Sequence, residues 1–455
     1  MENIFPNHTT DVRDIRKLFR NYAYPAMLNM IVLSLYNIVD RIFIGQGAGA
    51  LAICGLALTL PCISLLGTIG TLTGVGGAAR ISAAISLRNP RLACKILGNA
   101  IFLNFILSLL LILFSLYYLD EILYAFGGSE HTIPYARKYL TILIPGSLLT
   151  NLNFTFCNSI RAAGSSRQSM VIILTGVIAN ILLDPIFIFG FRLGIEGAAI
   201  ATVLSMCISS LLLLLHFHSP RSSLRLQFNC LIPEPLILLN IIGIGMAAFI
   251  MNITTGMVNI IMNRYLENYG GDYAIGAYGI ISSYSIQISM LLMGICQGMQ
   301  PILSYNYATG KQNLVAHTLR TAIYTGSLIA CIGFILGEGL APWLVKAFTT
   351  DPTLLKISEN GLRLTFLAMP LIGFQIIVTS YFQSVRQAPK AIIMNISRQF
   401  VFLIPALGLF SNHWGLNGIW LAIPFADLMA TIIAIFFYWK QKSVSIISNS
   451  VNRIH

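Results

Sequence analysis

The feature that most constrains this chain is a succession of apolar runs, each long enough to cross a bilayer. A span needs about 20 apolar residues. Twelve stretches qualify, at 21–45, 50–79, 92–118, 132–160, 168–191, 195–218, 236–263, 273–307, 317–343, 358–385, 390–411 and 414–439. Each is read as an α-helix, because a helix satisfies its own backbone groups in lipid. Strands are excluded, since the runs are too long and do not alternate. Only 10% of the 455 residues are charged and 56% are hydrophobic, whereas a soluble domain carries about 25% charged residues. The expected fold class is therefore an all-α polytopic membrane protein with twelve transmembrane helices. The opening segment MENIFPNHTTDVRDIRKLFR is polar and shows no cleavable signal.

Charge orients the helices. The net charge is +12, but the basic residues are scattered over short loops without an aromatic-interleaved patch, so no nucleic-acid partner is expected. With the N-terminus in the cytoplasm, 19 of the 28 basic residues fall in inside segments and eight outside, with Arg398 left within a span. The positive-inside rule thus favours a multi-pass protein of the cytoplasmic (inner) membrane with both termini cytoplasmic. The eight cysteines form no CxxC pair and read as small core residues, not as a disulfide framework.

Two carboxylates stand out against this background. Asp40 lies in IVLSLYNIVDRIFIG and Asp184 in VIILTGVIANILLDPIFIFG. A carboxylate at membrane depth costs about 2.5–3.5 kcal/mol on insertion scales, and survives where it faces a bundle interior or a wet cavity. Asn180 stands four residues before Asp184 and shares its helical face. For Asp40 the competing reading is an interfacial charge paired with Arg41; for Asp184 it is a helix-bending Asp-Pro step.

The two halves look alike. Residues 51–97 pair with 273–319, Pro145 to Arg161 pairs with Pro370 to Arg386, and Gly194 and Gly197 pair with Gly415 and Gly418. Each half holds an even number of spans, so the halves enter the membrane in the same sense, as parallel repeats. The expected organisation is a cytoplasmic segment at 1–20, an N-terminal six-helix lobe at 21–218, a basic cytoplasmic linker at 219–235, a C-terminal six-helix lobe at 236–440 and a tail at 441–455. The acids occur once: Asp40, Asn180, Asp184 and Thr202 fall near Asn263, Val401, Pro405 and Ile423 of the second half. There the candidate acids are Asp427 and Glu338.

The first-span pattern YPAMLNMIVLSLYNIVDRIFIGQ, the turn IRAAGSSRQSM and the pair NILLDPIFIFGFRLGIEGAAIATVLSM together resemble the multidrug and toxic compound extrusion (MATE) transporters, closest to the DinF-like, MepA-type branch. The resemblance spans residues 14–440. It implies a V-shaped bundle of two six-helix lobes that exchanges Na+ or H+ for organic cations or other amphipathic drugs, and a place in drug resistance. It also implies a cation site in the N-terminal lobe, built from Asp40, Asn180, Asp184 and Thr202. The residues agree in part: two carboxylates, an amide oxygen and a hydroxyl suit Na+. Equally, two close carboxylates do not both ionise cheaply, so one would carry a proton. Na+ or H+ is the coupling ion and no other cofactor is expected; if Na+ drives transport, these four residues hold it.

Other positions carry weaker signals. Pro25 is a candidate hinge in the first span. Tyr36, Tyr139, Asn153 and Asn158 are candidates for the substrate cavity, where aromatic faces suit organic cations. Asn180 and Thr202 also read as helix–helix hydrogen-bonding residues. The glycines of GTIGTLTGVGGAAR read as packing sites, not a phosphate loop. An enzyme is not expected, because neither HExxH nor GxSxG occurs. The alternative is a flippase for lipid-linked oligosaccharides or cell-wall precursors from the same superfamily. A monomer in the lipid bilayer, with small-molecule partners, completes the expectation.

Overall fold

The computed structural model describes residues 27–451, apart from 28, 29, 32, 33, 36, 37, 220–223, 225, 227–229 and 386. Pro25, Tyr36 and the segment 1–20 lie outside the described residues. The described residues are almost wholly helical. Eight helices among them are long and apolar enough to cross a membrane by length and composition. Two of these bend sharply and hold two spans each: Pro235–Ala308 turns at Gly271, and Ile404–Val451 turns at Gly415. The pair Pro352–Phe366 and Met369–Ser384, bent by 53°, is long and apolar enough to cross as one further span by the same measure. With the helical residues that end at position 48, the twelve spans read from the sequence are accounted for.

Local geometry repeats between the halves. Gly49 (φ 87°) ends the first helix as Gly271 (φ 63°) ends the seventh. Gly194 (φ 55°, ψ −127°) turns the chain between spans five and six, and its partner Gly415 (φ 57°, ψ −133°) turns it between spans eleven and twelve. Only glycine holds this backbone without a Cβ penalty, so the chain reverses within one residue at both places. A π-helical segment precedes each turn, Ile186–Gly190 directly before the first and Ser397–Leu403 separated from the second by the α-helix that begins at Ile404. The first directly follows Pro185, which has no N–H to give and so leaves the regular ladder broken.

The chain forms two compact units. One comprises 39–279 with 348–354; the other comprises the described residues of 1–38, 280–347 and 355–455. In the first unit an apolar core of Ile81, Leu97, Phe156, Phe217 and Ile241 joins helices Ala50–Ile85, Pro90–Tyr117, Ile133–Ala162, Ile195–His218 and the start of Pro235–Ala308. Glycines let the backbones touch. A Cβ on Gly76 would lie 2.1 Å from the Ile241 carbonyl oxygen, and one on Gly245 would lie 2.0 Å from that of Leu72. These contacts explain the glycine-rich second span as a packing surface. In the second unit Gly373 allows the same approach, its Cβ position lying 2.6 Å from the Gly326 carbonyl oxygen. Trp420, Phe366 and Phe382 fill its interior.

One expectation is overturned. Cys94 and Cys230 form a disulfide, with Cα atoms 5.9 Å apart. The sequence hid the pair because 136 residues separate them. The fold brings them together by laying 230–234 along the Pro90–Tyr117 helix. Gly98 clears space for the Cys230 carbonyl, Asn99 donates to the Ile232 carbonyl at 3.1 Å, and the Glu234 N–H donates to Asn99 Oδ1 at 2.7 Å. Lys95 and Glu234 pair at 2.7 Å beside it.

Candidate functional site

The first unit brings the predicted acids together. Helix Ser166–Pro185 presents Asn180 and Asp184 one turn apart, and Ile195–His218 presents Thr202 beside them. Asp184 is fully buried; Asn180 is 1% and Thr202 5% exposed. Asn180 Nδ2 donates to Asp184 Oδ1 at 3.2 Å and to Thr202 Oγ1 at 3.4 Å. The carboxyl group of Asp40, from the first helix, lies close enough to that of Asp184 for the two to act on each other electrostatically. Arg41 donates through Nη1 to the Gly279 carbonyl at 3.1 Å, and its charge also acts on the Asp40 carboxyl group.

The polar groups at this site do not close on themselves. Asp40 Oδ1, Asn180 Oδ1 and Asp184 Oδ2 are sealed from solvent and have no hydrogen-bond partner. Each such oxygen costs about 1–3 kcal/mol when left unmade. Three acceptors gathered without a donor call for a cation or a proton, since another acceptor would worsen the repulsion. Every available donor atom is a hard oxygen, which suits an alkali cation better than a transition metal.

The second-half candidate behaves differently. Asp427 is fully buried, and its carboxylate is bound by Arg398 Nε from the Ser397–Leu403 segment. The partner is a fixed cation within the chain, held on Oδ1, while Asp427 Oδ2 is sealed without a hydrogen-bond partner. This pairing had no signal in the sequence, because the π-helical winding at 397–403 decides where Arg398 points. Glu338 also keeps a sealed, unpartnered Oε1.

The four cavity candidates separate. Tyr139 is 4% exposed and packed within its helix bundle. Asn153 spans two helices, donating to the Met206 carbonyl at 3.1 Å and accepting from Ser210 Oγ at 2.7 Å. Asn158 donates to the Phe154 carbonyl and is reached by Arg161 at 3.4 Å. Tyr36 lies outside the described residues.

A buried network absent from the sequence reading lies nearby. Asn104 Nδ2 donates to Thr73 and Thr155 hydroxyls at 2.8 and 2.9 Å, and Asn151 Nδ2 donates to the Leu66 carbonyl and Ser108 Oγ, both at 3.0 Å. These bonds tie spans two, three and four together. Their mutual satisfaction marks them as structural, in contrast to the open oxygens around Asp184.

Comparison with known proteins follows the same lines. The MatE family model matches residues 25–186 and again 247–407. The second match begins where the internal repeat places the counterpart of the first. Multidrug export protein MepA of Staphylococcus haemolyticus is 28% identical over 431 residues, covering 94% of each chain. MepA of Staphylococcus aureus (strain MRSA252) is 27% identical over 423 residues, covering 93% of each. Among solved structures, the MATE multidrug transporter DinF-BH, solved in complex with a ligand, superposes with a TM-score of 0.77 at 30% identity, covering 93% of this chain and 95% of that one. An inward-facing multidrug resistance MATE transporter shares the fold with a TM-score of 0.84 at 21% identity, covering 93% of this chain and 98% of that one. A family model that spans both halves, and relatives aligned over nearly the whole length, show that this multi-pass membrane protein belongs to the MatE family of transporters.

Proposed function

We propose that the chain is a secondary-active multidrug exporter that antiports organic cations or other amphipathic drugs against Na+ or H+ across the cytoplasmic membrane. One observation carries this reading: the three sealed, unpartnered oxygens of Asp40, Asn180 and Asp184 lie at one buried place. An ion that enters there neutralises the acids and satisfies the orphan acceptors. The relatives named for multidrug export, and the ligand-bound structure of the multidrug transporter DinF-BH, support the drug side of the exchange.

The coupling residues are Asp40, Asn180, Asp184 and Thr202. Tyr139, Asn153 and Asn158 serve as candidate cavity residues, and Pro25 as a hinge that bends the first span when Asp40 changes state. The lobes 21–218 and 236–440 carry the exchange as a monomer with both termini inside. Coupling requires that ion and drug favour different states, because a ligand shifts an equilibrium only by its differential affinity. Drug and ion must also weaken each other's binding by the same factor. A flippase for anionic lipid-linked substrates would need positive charge at depth, and Arg398 there is paired with Asp427.

Everted vesicles loaded with a cationic dye, with Na+ and H+ gradients imposed separately, test the proposal. Dye movement should follow one of the gradients and be lost in Asp40→Asn and Asp184→Asn while both proteins stay in the membrane. Normal movement in both variants would remove the site from the mechanism.

A further inference from the structure

A group of polar contacts in the first unit, away from the ion site, joins residues of the two sequence repeats. The segment 125–132, which links the third and fourth spans, rests on the seventh span and its turn at Gly271. Arg264 Nε donates to the Ala125 carbonyl at 2.7 Å. Gly127 (φ 93°) passes so close that a Cβ there would lie 3.0 Å from Glu267 Oε2. Ser129 Oγ donates to Asp272 Oδ2 at 2.6 Å, and Thr132 Oγ1 donates to Asp272 Oδ1 at 3.3 Å. Both oxygens of one carboxylate are thus held by hydroxyls from the other repeat. Immediately below, Gly276 packs on Cys54, whose Sγ would be 2.5 Å from a Cβ at that glycine.

We infer that Asp272, Ser129 and Thr132, with Arg264 on the Ala125 carbonyl, form a latch that closes the outer side of the transporter and must part in every transport cycle. The inference rests on the export reading and on the cytoplasmic placement of the termini, which puts 125–132 and 271–272 outside. The chemistry suits a reversible closure. A half-buried carboxylate held by two hydroxyls makes one short charge-assisted bond, from Ser129, and one longer bond, from Thr132, yet water can replace both hydroxyls when the surfaces separate. A salt bridge sealed from water would be harder to open. Covalent and backbone constraints do not cross this surface among the described contacts, whereas Cys94–Cys230 does tie the chain on the opposite, inner side.

Arg41 joins the latch to the ion site. It follows Asp40 directly and donates to the carbonyl of Gly279, two turns beyond Asp272 on the same helix. Neighbouring positions on a helix face different ways. The first helix can thus touch Asp184 with one side chain and the eighth span with the next. Movement of that helix when Asp40 gains or loses its ion is transmitted to the latch helix through Arg41, a positioning residue.

The test locks and loosens the same contact. Ser129→Cys with Asp272→Cys, oxidised in dye-loaded everted vesicles, should stop dye movement, and reduction should restore it. The unaltered chain and each single cysteine variant receive the same oxidant and reductant, which separates the effect from the native disulfide. If the unaltered chain moves no dye, the export reading fails; if the cross-linked variant moves dye normally, the latch fails. Asp272→Ala supplies a measurement independent of transport. In intact cells a membrane-impermeant maleimide should label Cys54 at least about fivefold faster than in the unaltered chain, because loss of charge-assisted bonds raises the open population. Ser129→Ala should do the same more weakly. Equal Cys54 labelling in all three proteins would overturn the inference.

Discussion

Replacing Asp184 by Asn should make the protein more stable and useless as an antiporter at once. Asp184 Oδ2 and Asp40 Oδ1 are sealed acceptors without donors, and the two carboxyl groups adjoin. An amide at position 184 keeps the shape and offers an N–H to Asp40. It removes one orphan acceptor, worth about 1–3 kcal/mol, and adds a charge-assisted bond worth about 1.5–3 kcal/mol. A proton or ion already meets part of that demand in the unaltered protein, so we take a net gain of about 2 kcal/mol. At roughly 1 °C per kcal/mol for a chain of this size, the melting temperature should rise by about 2 °C in ion-free detergent solution. If Na+ is the coupling ion, added Na+ should stabilise the unaltered protein by mass action and leave the variant unmoved. The assay is a thermal melt with and without Na+, paired with dye transport in everted vesicles, where the variant should lose at least about tenfold in rate. A melting temperature below that of the unaltered protein would refute the reasoning, because it would show Asp184 to be a satisfied structural acid. So would a Na+ response that survives the substitution.

The paired acid should respond with the opposite sign. Arg398→Met leaves Asp427 buried without its cation and should destabilise by about 3 kcal/mol, the lower end of the range since the Arg398 side chain is 37% exposed. The double variant Arg398→Met/Asp427→Leu should recover most of that loss in a thermal melt and still transport dye; loss of transport with full stability would make Asp427 a coupling residue. Thr202→Val keeps the volume and removes an oxygen, so Na+ dependence of transport should weaken, whereas an unchanged Na+ response would leave Thr202 as a packing residue. Gly245→Ala places a Cβ against the Leu72 carbonyl and should destabilise by about 1–3 kcal/mol, read as a lower melting temperature; an unchanged melt would show that the helices separate easily there. Reduction of Cys94–Cys230 should lower stability by about 2–4 kcal/mol, visible as an earlier melt that Cys94→Ser reproduces without reductant.

Much of this protein could be read from its residues because the bilayer leaves few choices. Apolar runs near twenty residues long must become helices, so the spans and their number followed from length and hydropathy. The repeat was legible because Gly194 and Gly415 hold the same left-handed turn, which glycine alone adopts freely. Asn180 and Asp184 share a face by their spacing of four. What needed the tertiary structure was every contact made at long range. Nothing in the spacing from 40 to 184 shows that the two carboxyl groups meet, or that Thr202 accepts from the same amide that binds Asp184. The Cys94–Cys230 bond depends on a linker folding back along the third span. Asp427 is set apart from Asp184 by its ion pair with Arg398, and the aim of that side chain depends on a π-helical segment that composition does not reveal. Local sequence specifies where a buried charge sits along its helix. Which groups surround it, and so whether it is neutralised permanently or left open for an ion, is decided by packing between helices distant in the chain.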